Sequence, residues 1–109
     1  MAHNEEFKNF VFDQLQDIGE FDTKNVFGSL ALIQQGEIFG KIKYDKFWLK
    51  VDDSNIADFE KLGMSQYTFG KDNSKKLNFY STPIEVLEDR HKLKDWARKS
   101  IKVALKHEI

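Results

Sequence analysis

Cysteine is absent from all 109 residues, which excludes disulfides, thiolate-held iron–sulfur clusters and thiol nucleophiles. That absence fits a reducing compartment, and a cytoplasmic location is expected. Long apolar runs are missing as well. None approaches the roughly 20 residues that span a bilayer, so no membrane association is expected. The opening MAHNEEF is acidic where a signal peptide needs a basic start and an apolar stretch. Proline occurs once, and no repeat, linker or low-complexity segment interrupts the chain. One domain over residues 1–109 is expected, because domains commonly run about 100–150 residues. Net charge is nearly absent too. The 17 basic and 18 acidic residues leave −1, so no global field gathers nucleic acid.

Aromatic bulk is plentiful: ten Phe, two Trp and three Tyr. A chain of this size hides about two-thirds of its unfolded surface, enough for a core without staples. Charge is also unevenly placed. Residues 1–20 carry one lysine against five carboxylates, and residues 88–109 carry seven basic against four acidic groups. Two amphipathic helices with solvated faces of opposite sign account for this, or else the basic end serves an acidic partner.

The chain is organised around residues 26–52, VFGSLALIQQGEIFGKIKYDKFWLKVD. It reads as three short antiparallel strands, with Gln35-Gly36 and Asp45-Lys46 as the turns. In residues 37–44, strict alternation puts Phe39, Lys41 and Lys43 on one face and Ile38, Gly40 and Ile42 on the other. Phe47, Leu49 and Val51 oppose Trp48 and Lys50. A sheet with one oily face asks for helices on it.

Helices are written on either side. Asn4 is placed to cap a first helix carrying Phe7, Phe10, Val11, Gln14, Leu15 and Ile18, stopped by Gly19. Residues 20–25 then connect it to the meander. Asp52, Asp53 and Ser54 offer caps for a short helix with Ile56, Phe59 and Leu62, ended by Gly63. Residues 64–69 and 76–80 form a second hairpin across residues 70–74. Thr82-Pro83-Ile84-Glu85 reads as a capping box, with Asp89 as a second cap, so a short turn of helix followed by a longer one is expected. The last helix carries Leu93, Trp96, Ala97, Ile101, Ala104 and Leu105 at spacings of three and four. The expectation is an α+β domain, an antiparallel sheet with packed helices in the order α-β-β-β-α-β-β-α.

No reaction is written in these residues. His3, His91 and His107 stand apart from any partner at ligand spacing and are expected as surface histidines. Asp53-Ser54-Asn55 starts like a calcium loop but has Asp58 where glycine is required. Gly70-Lys71 lacks the rest of a phosphate loop, since Ser65 and Asp72 occupy its other key positions. Ser29 follows Gly28 on a strand, not at a strand–turn–helix elbow. Neither catalysis nor a cofactor is expected. Binding is better served. Lys41, Lys43, Lys46 and Lys50 interleave with Phe39, Tyr44 and Trp48, a pattern that stacks bases and holds phosphates. The plainer alternative makes the aromatics core and the lysines edge decoration against strand pairing. Lys94, Arg98, Lys99 and Lys102 form a second basic patch on the last helix.

The string VFGSLALIQQGEIFGKI, followed in order by FWLKVD, GMSQYTF, LNFYSTP and DWARKS, resembles the N-terminal domain of the TfoX/Sxy family. That family runs Met-Phe-Gly-Gly before a glycine turn, then a Leu-Tyr-Leu-Lys-like strand, a Phe-x-Tyr-like strand, a Tyr-Tyr-x-x-Pro-like step and a late Trp. Phe27, Gly28, Gly36, Phe39, Leu49, Lys50, Gly63, Phe69, Tyr80, Pro83 and Trp96 match in order, across residues 23–105. Val26 stands in place of the Met, Ser29 of the second Gly and Phe79 of the first Tyr, and Lys24-Asn25 falls where Arg is usual. The resemblance implies an α+β fold and a non-enzymatic role in transcription or competence regulation alongside the cAMP receptor protein. It also implies a stand-alone domain, without the C-terminal helical domain of full-length members. Contact with that receptor or other transcription machinery is the expected activity, with direct weak nucleic-acid binding and small-molecule binding as alternatives. Phe27, Phe39, Leu49, Phe69 and Trp96 are expected in the core. Lys50 and Tyr80 are the matched polar positions.

Overall fold

The computed structural model describes residues 4–106. The chain runs α1 (Glu5–Gln14), a 3₁₀ turn (Gln16–Ile18), β1 (Asp22–Val26), β2 (Ser29–Gln34), β3 (Glu37–Lys43), β4 (Lys46–Lys50), α2 (Ile56–Glu60), β5 (Gln66–Phe69), β6 (Lys75–Ser81), α3 (Ile84–Leu87) and α4 (Arg90–Lys106). All strands form one antiparallel sheet in the order β1-β2-β3-β4-β6-β5. The α+β class stands, and the expected elements follow in the expected order. The structure adds a strand ahead of them, and the second cap expected at Asp89 separates the short helix α3 from the longer α4.

The added strand is β1, made by four residues expected in a connection together with Val26, expected at the start of the meander. Its sequence, DTKNV, has one apolar residue and four exposed positions, so no hydrophobic alternation announces it. What makes it a strand is the turn behind it. Phe27 (φ 47°) and Gly28 (φ 80°) both adopt left-handed backbone, the type I′ geometry that folds two strands into a tight hairpin. The same pair of angles recurs at Gln35 (φ 55°) and Gly36 (φ 82°), joining β2 to β3. Ser29 Oγ donates to the Val26 carbonyl at 2.9 Å and fastens the first of these turns.

A second departure is a bulge in β3. Leu32 pairs with Gly40, but Ile33 pairs with Ile38, which leaves Phe39 as the extra residue. The bulge breaks the period of two. Phe39 therefore turns away from Lys41 and Lys43 and joins Ile42 in the core. Gly40 is needed beside it. A Cβ there would lie 2.9 Å from Phe47 Cε1 and 3.2 Å from the Trp48 carbonyl.

Helices cover one face of the sheet. Leu30, Leu32, Phe39, Ile42, Phe47 and Leu49 meet Val11 and Leu15 of α1 and Leu93, Ala97, Ile101 and Ala104 of α4 in one core cluster. Each large side chain so buried contributes about 1.5–3 kcal/mol. Small residues on α4 let it lie close across β3 and β4. Phe59 of α2 stacks edge-on against Trp96, centroids 4.6 Å apart.

The caps hold the ends. Asn4 Oδ1 accepts from the amides of Glu6 and Phe7, and Asp89 Oδ1 from those of His91 and Lys92, opening α4. Thr82 does not cap. Pro83, in extended geometry, stands at the start of α3 with no side-chain cap bond, and the buried Thr82 hydroxyl has no hydrogen-bond partner among the described residues. The Thr82 amide donates instead to the Phe47 carbonyl, so the residue is held in the sheet one step before the helix. After β4 the bracing group is Asn55. Its Oδ1 accepts from the Asp52 amide and its Nδ2 donates to the Lys50 carbonyl.

Candidate functional site

The second face of the sheet carries no helix. Lys41, Lys43, Lys46, Trp48 and Lys50 alternate onto it from β3 and β4, and Phe79 joins through its pairing with Lys50. Tyr67 of β5 meets Trp48 edge-on, with centroids 5.0 Å apart. The ammonium groups lie over these rings. Lys41 Nζ is 5.6 Å from Phe79 and 5.8 Å from Tyr67; Lys43 Nζ is 5.7 Å from Tyr67 and 5.8 Å from Tyr44. Lys46 sits over Trp48 and Lys50 over Phe79. Such contacts are worth about 0.5–2 kcal/mol, more as the cation loses water.

The expected interleaving of lysines with aromatic rings is therefore present, with two changes of cast. Phe39 has gone to the core, and Tyr67 and Phe79 take its place. These lysines also do not guard an edge, because β3 and β4 are central strands. Lys41 is the most confined, at 7% exposure. No carboxylate pairs with it among the described residues. Burial, and after it the charges of Lys43 and Lys50, hold its pKa below the ordinary lysine value.

The sheet curls. Val26 on β1 and Tyr67 and Phe69 on β5, the two strands at opposite ends of the order, line one groove of about 600 Å³ with Phe27, Lys41, Lys43 and Leu77. Its walls are mainly apolar. It adjoins a smaller hollow of about 250 Å³ that shares Lys43 and Tyr67 and extends to Lys46 and Trp48.

Phe27 stands at the mouth, and it overturns an expectation. It is 98% exposed, and Phe69 is 39% exposed, whereas both were assigned to the core. Leu49 and Phe39 are buried as expected, and Trp96 packs half-buried against the core. The signal missed in the sequence was local. A Phe-Gly pair at a tight turn puts the aromatic side chain at the tip of a hairpin, away from either packed face.

The other sites named from sequence fall elsewhere. Tyr80 points to the opposite face from Lys50 and packs on Phe59, centroids 6.0 Å apart. It serves the core. Lys50 instead borders an open hollow with Asp52, Asn78 and Lys106, without Tyr80. On α4, Arg98, Lys99 and Lys102 border a shallow surface with Trp96, and Lys94 lies outside it, half-buried. Two of these groups are engaged in the fold. Arg98 donates to the Asp17 carbonyl at 3.1 Å, and Lys99 pairs with Asp58 at 3.0 Å. Both tie α4 to its neighbours. His91 is exposed; His3 and His107 lie outside the described residues. Among the described residues no group of His, Asp and Glu is gathered that could hold a metal ion, and no helix is long and apolar enough to cross a membrane.

A model of the TfoX N-terminal domain matches residues 13–104. That span begins in α1 and ends in α4, so it takes in every strand, the exposed turn and the groove. No curated protein matches the chain.

Proposed function

The chain belongs to the TfoX N-terminal domain family, and on that premise we propose that it is a non-enzymatic regulatory domain acting by protein–protein contact. Its setting is transcription or competence co-regulation in the cytoplasm. The cAMP receptor protein, or another component of the transcription machinery, is the partner of this reading.

The observation that carries it is the uncovered second face, with an aromatic residue held in solvent at the turn beside it. A bulky residue both exposed and left-handed (Phe27, φ 47°) adds nothing to the core and strains the backbone. Aromatic side chains presented this way serve as interface anchors. The lysines around the groove steer association with an acidic surface and set its orientation.

Direct, weak nucleic-acid binding is the second reading. It is favoured by the exposure of Lys46 and Lys102, one on each basic surface. Fluorescence anisotropy of a labelled promoter duplex separates the two. The titration runs at low and physiological salt, with and without the cAMP receptor protein and its nucleotide. Enhancement only with the receptor present supports the co-regulator. Binding by the domain alone that disappears with salt supports the lysines as phosphate contacts, because counterion release drives it. No change in any condition removes action at that promoter.

A further inference from the structure

The groove between β1 and β5 has a composition that a structural role does not account for. Its walls are Val26, Phe27, Phe69 and Leu77, and its only charged side chains are Lys41 and Lys43. The ion pairs among the described residues lie elsewhere: Lys8–Glu5, Arg90–Asp13, Lys99–Asp58 and Lys106–Asp52. Two cations thus converge on an apolar recess that no carboxylate lines and, among the described residues, neither has an ion-pair partner; Asp45 borders only the adjoining hollow. Burying a charge without a paired counter-charge is unfavourable, and an arriving anion relieves it. We propose that this groove docks an acidic segment of a partner protein, seating an Asp or Glu carboxylate on Lys41 and Lys43 and the adjacent apolar side chain against Phe27 and Phe69.

Charge complementarity and shape together favour that occupant. At about 600 Å³ the recess has the volume of a ligand pocket and takes a few side chains, not a folded surface. It runs on past Lys43 and Tyr67 into the second hollow, so a linear chain has room to continue. A nucleic-acid backbone fits less well. Its phosphates need a track of exposed cations, whereas Lys41 is buried, Lys43 is half-buried, and the rim is apolar. The α4 surface is a poorer candidate, because Arg98 and Lys99 are already bound within the fold.

This inference rests on the regulatory reading for the kind of partner, but its test is separate. Isotope-labelled protein is titrated with a short synthetic peptide of alternating leucine and glutamate, followed by amide chemical shifts. Saturable shifts at residues 26–28, 41–43 and 67–70 are expected. The glutamine analogue, and the Lys43→Gln and Phe27→Asn proteins, should each bind at least about tenfold more weakly. Phe27→Asn keeps the test decisive should Lys43→Gln fold poorly, since Phe27 is almost wholly exposed. No saturable shift up to about 1 mM peptide, shifts confined to α4, or tighter binding of oligothymidine at the same amides overturns the proposal. Groove amides that move with protein concentration alone also overturn it, by showing a second copy as the occupant. If receptor-dependent enhancement at a promoter persists in Phe27→Asn, the groove is excluded as the contact while the regulatory role stands.

Discussion

Phe47 lies on a strand of the sheet and Phe27 in the turn between two of its strands, and their surroundings are opposite. Phe47 is fully buried, its ring over Gly40 and under the helices, while Phe27 is almost wholly in water at the tip of a left-handed turn. The two faces of the sheet differ in the same way. The helix-covered face is apolar, closely packed and without charge. The open face keeps a buried lysine, a rank of cations over rings and an exposed aromatic. Places where a sequence departs from the rules of stable folding are where function is to be sought. The sharpest test of the contrast truncates the same residue type in each setting. Phe47→Ala should lower unfolding free energy by about 3–5 kcal/mol, the usual range for a buried Phe. Phe27→Ala should change it by no more than about 0.5 kcal/mol. Urea denaturation of the two proteins measures both, and similar losses would erase the distinction between the faces.

Gly40→Ala probes how tightly the covered face is closed. The added methyl meets a phenyl ring that is itself enclosed, and behind it a backbone carbonyl, so neither neighbour yields freely. A loss of about 1–3 kcal/mol is expected, as for other overpacked cores. Thermal unfolding should show it as a lower Tm, and an unchanged Tm would mean that the covered face is looser than its geometry implies.

Much of this arrangement was legible in the sequence because apolar period and turn chemistry act locally. The caps at Asn4 and Asp89, the β5–β6 hairpin and the stripe of α4 all follow from residues within a turn or two of one another. What escaped detection needed partners. Strand β1 has almost no apolar signal and exists by pairing with β2. The bulge at Phe39 is set by register across two strands, and period alone sends that ring to the wrong face. Of the site, the lysines on β3 and β4 were readable from alternation. The groove was not, because it closes between strands more than 40 residues apart, Val26 and Phe69. Tyr80 and Lys50 were paired by their place in a resemblance, and a sheet has two sides.

Lys41 tests the open face from the side of stability. Its folded-state pKa lies below the unfolded value of 10.5, so the folded state binds its proton less firmly. At neutral pH both states are charged and the full penalty of confinement is present. As pH rises through the folded value, the folded state releases its proton first, and stability increases until pH passes 10.5. Lys41→Met removes the charge and keeps flexible contact with Tyr67 and Phe79. It should stabilise the protein by on the order of 1 kcal/mol at neutral pH. The gap from the parent should narrow as the solution is made alkaline. A methionine protein less stable at neutral pH would show that the ring contacts outweigh the confinement, and that Lys41 serves the fold.

Phe27→Asn separates the two faces most cleanly. Asn is favoured where a type I′ turn demands positive φ, and Phe is not. The backbone is already in that conformation, and the side chain that leaves touches no core residue. Unfolding free energy should therefore rise, by about 0.5–1 kcal/mol if part of the left-handed strain is relieved. An acidic apolar peptide should at the same time lose its anchor at the groove mouth. Stability gained together with binding lost would mark Phe27 as a residue held against the preference of its own turn. Stability lost would instead place Phe27 among the residues that hold the hairpin, and the two faces would differ in exposure alone.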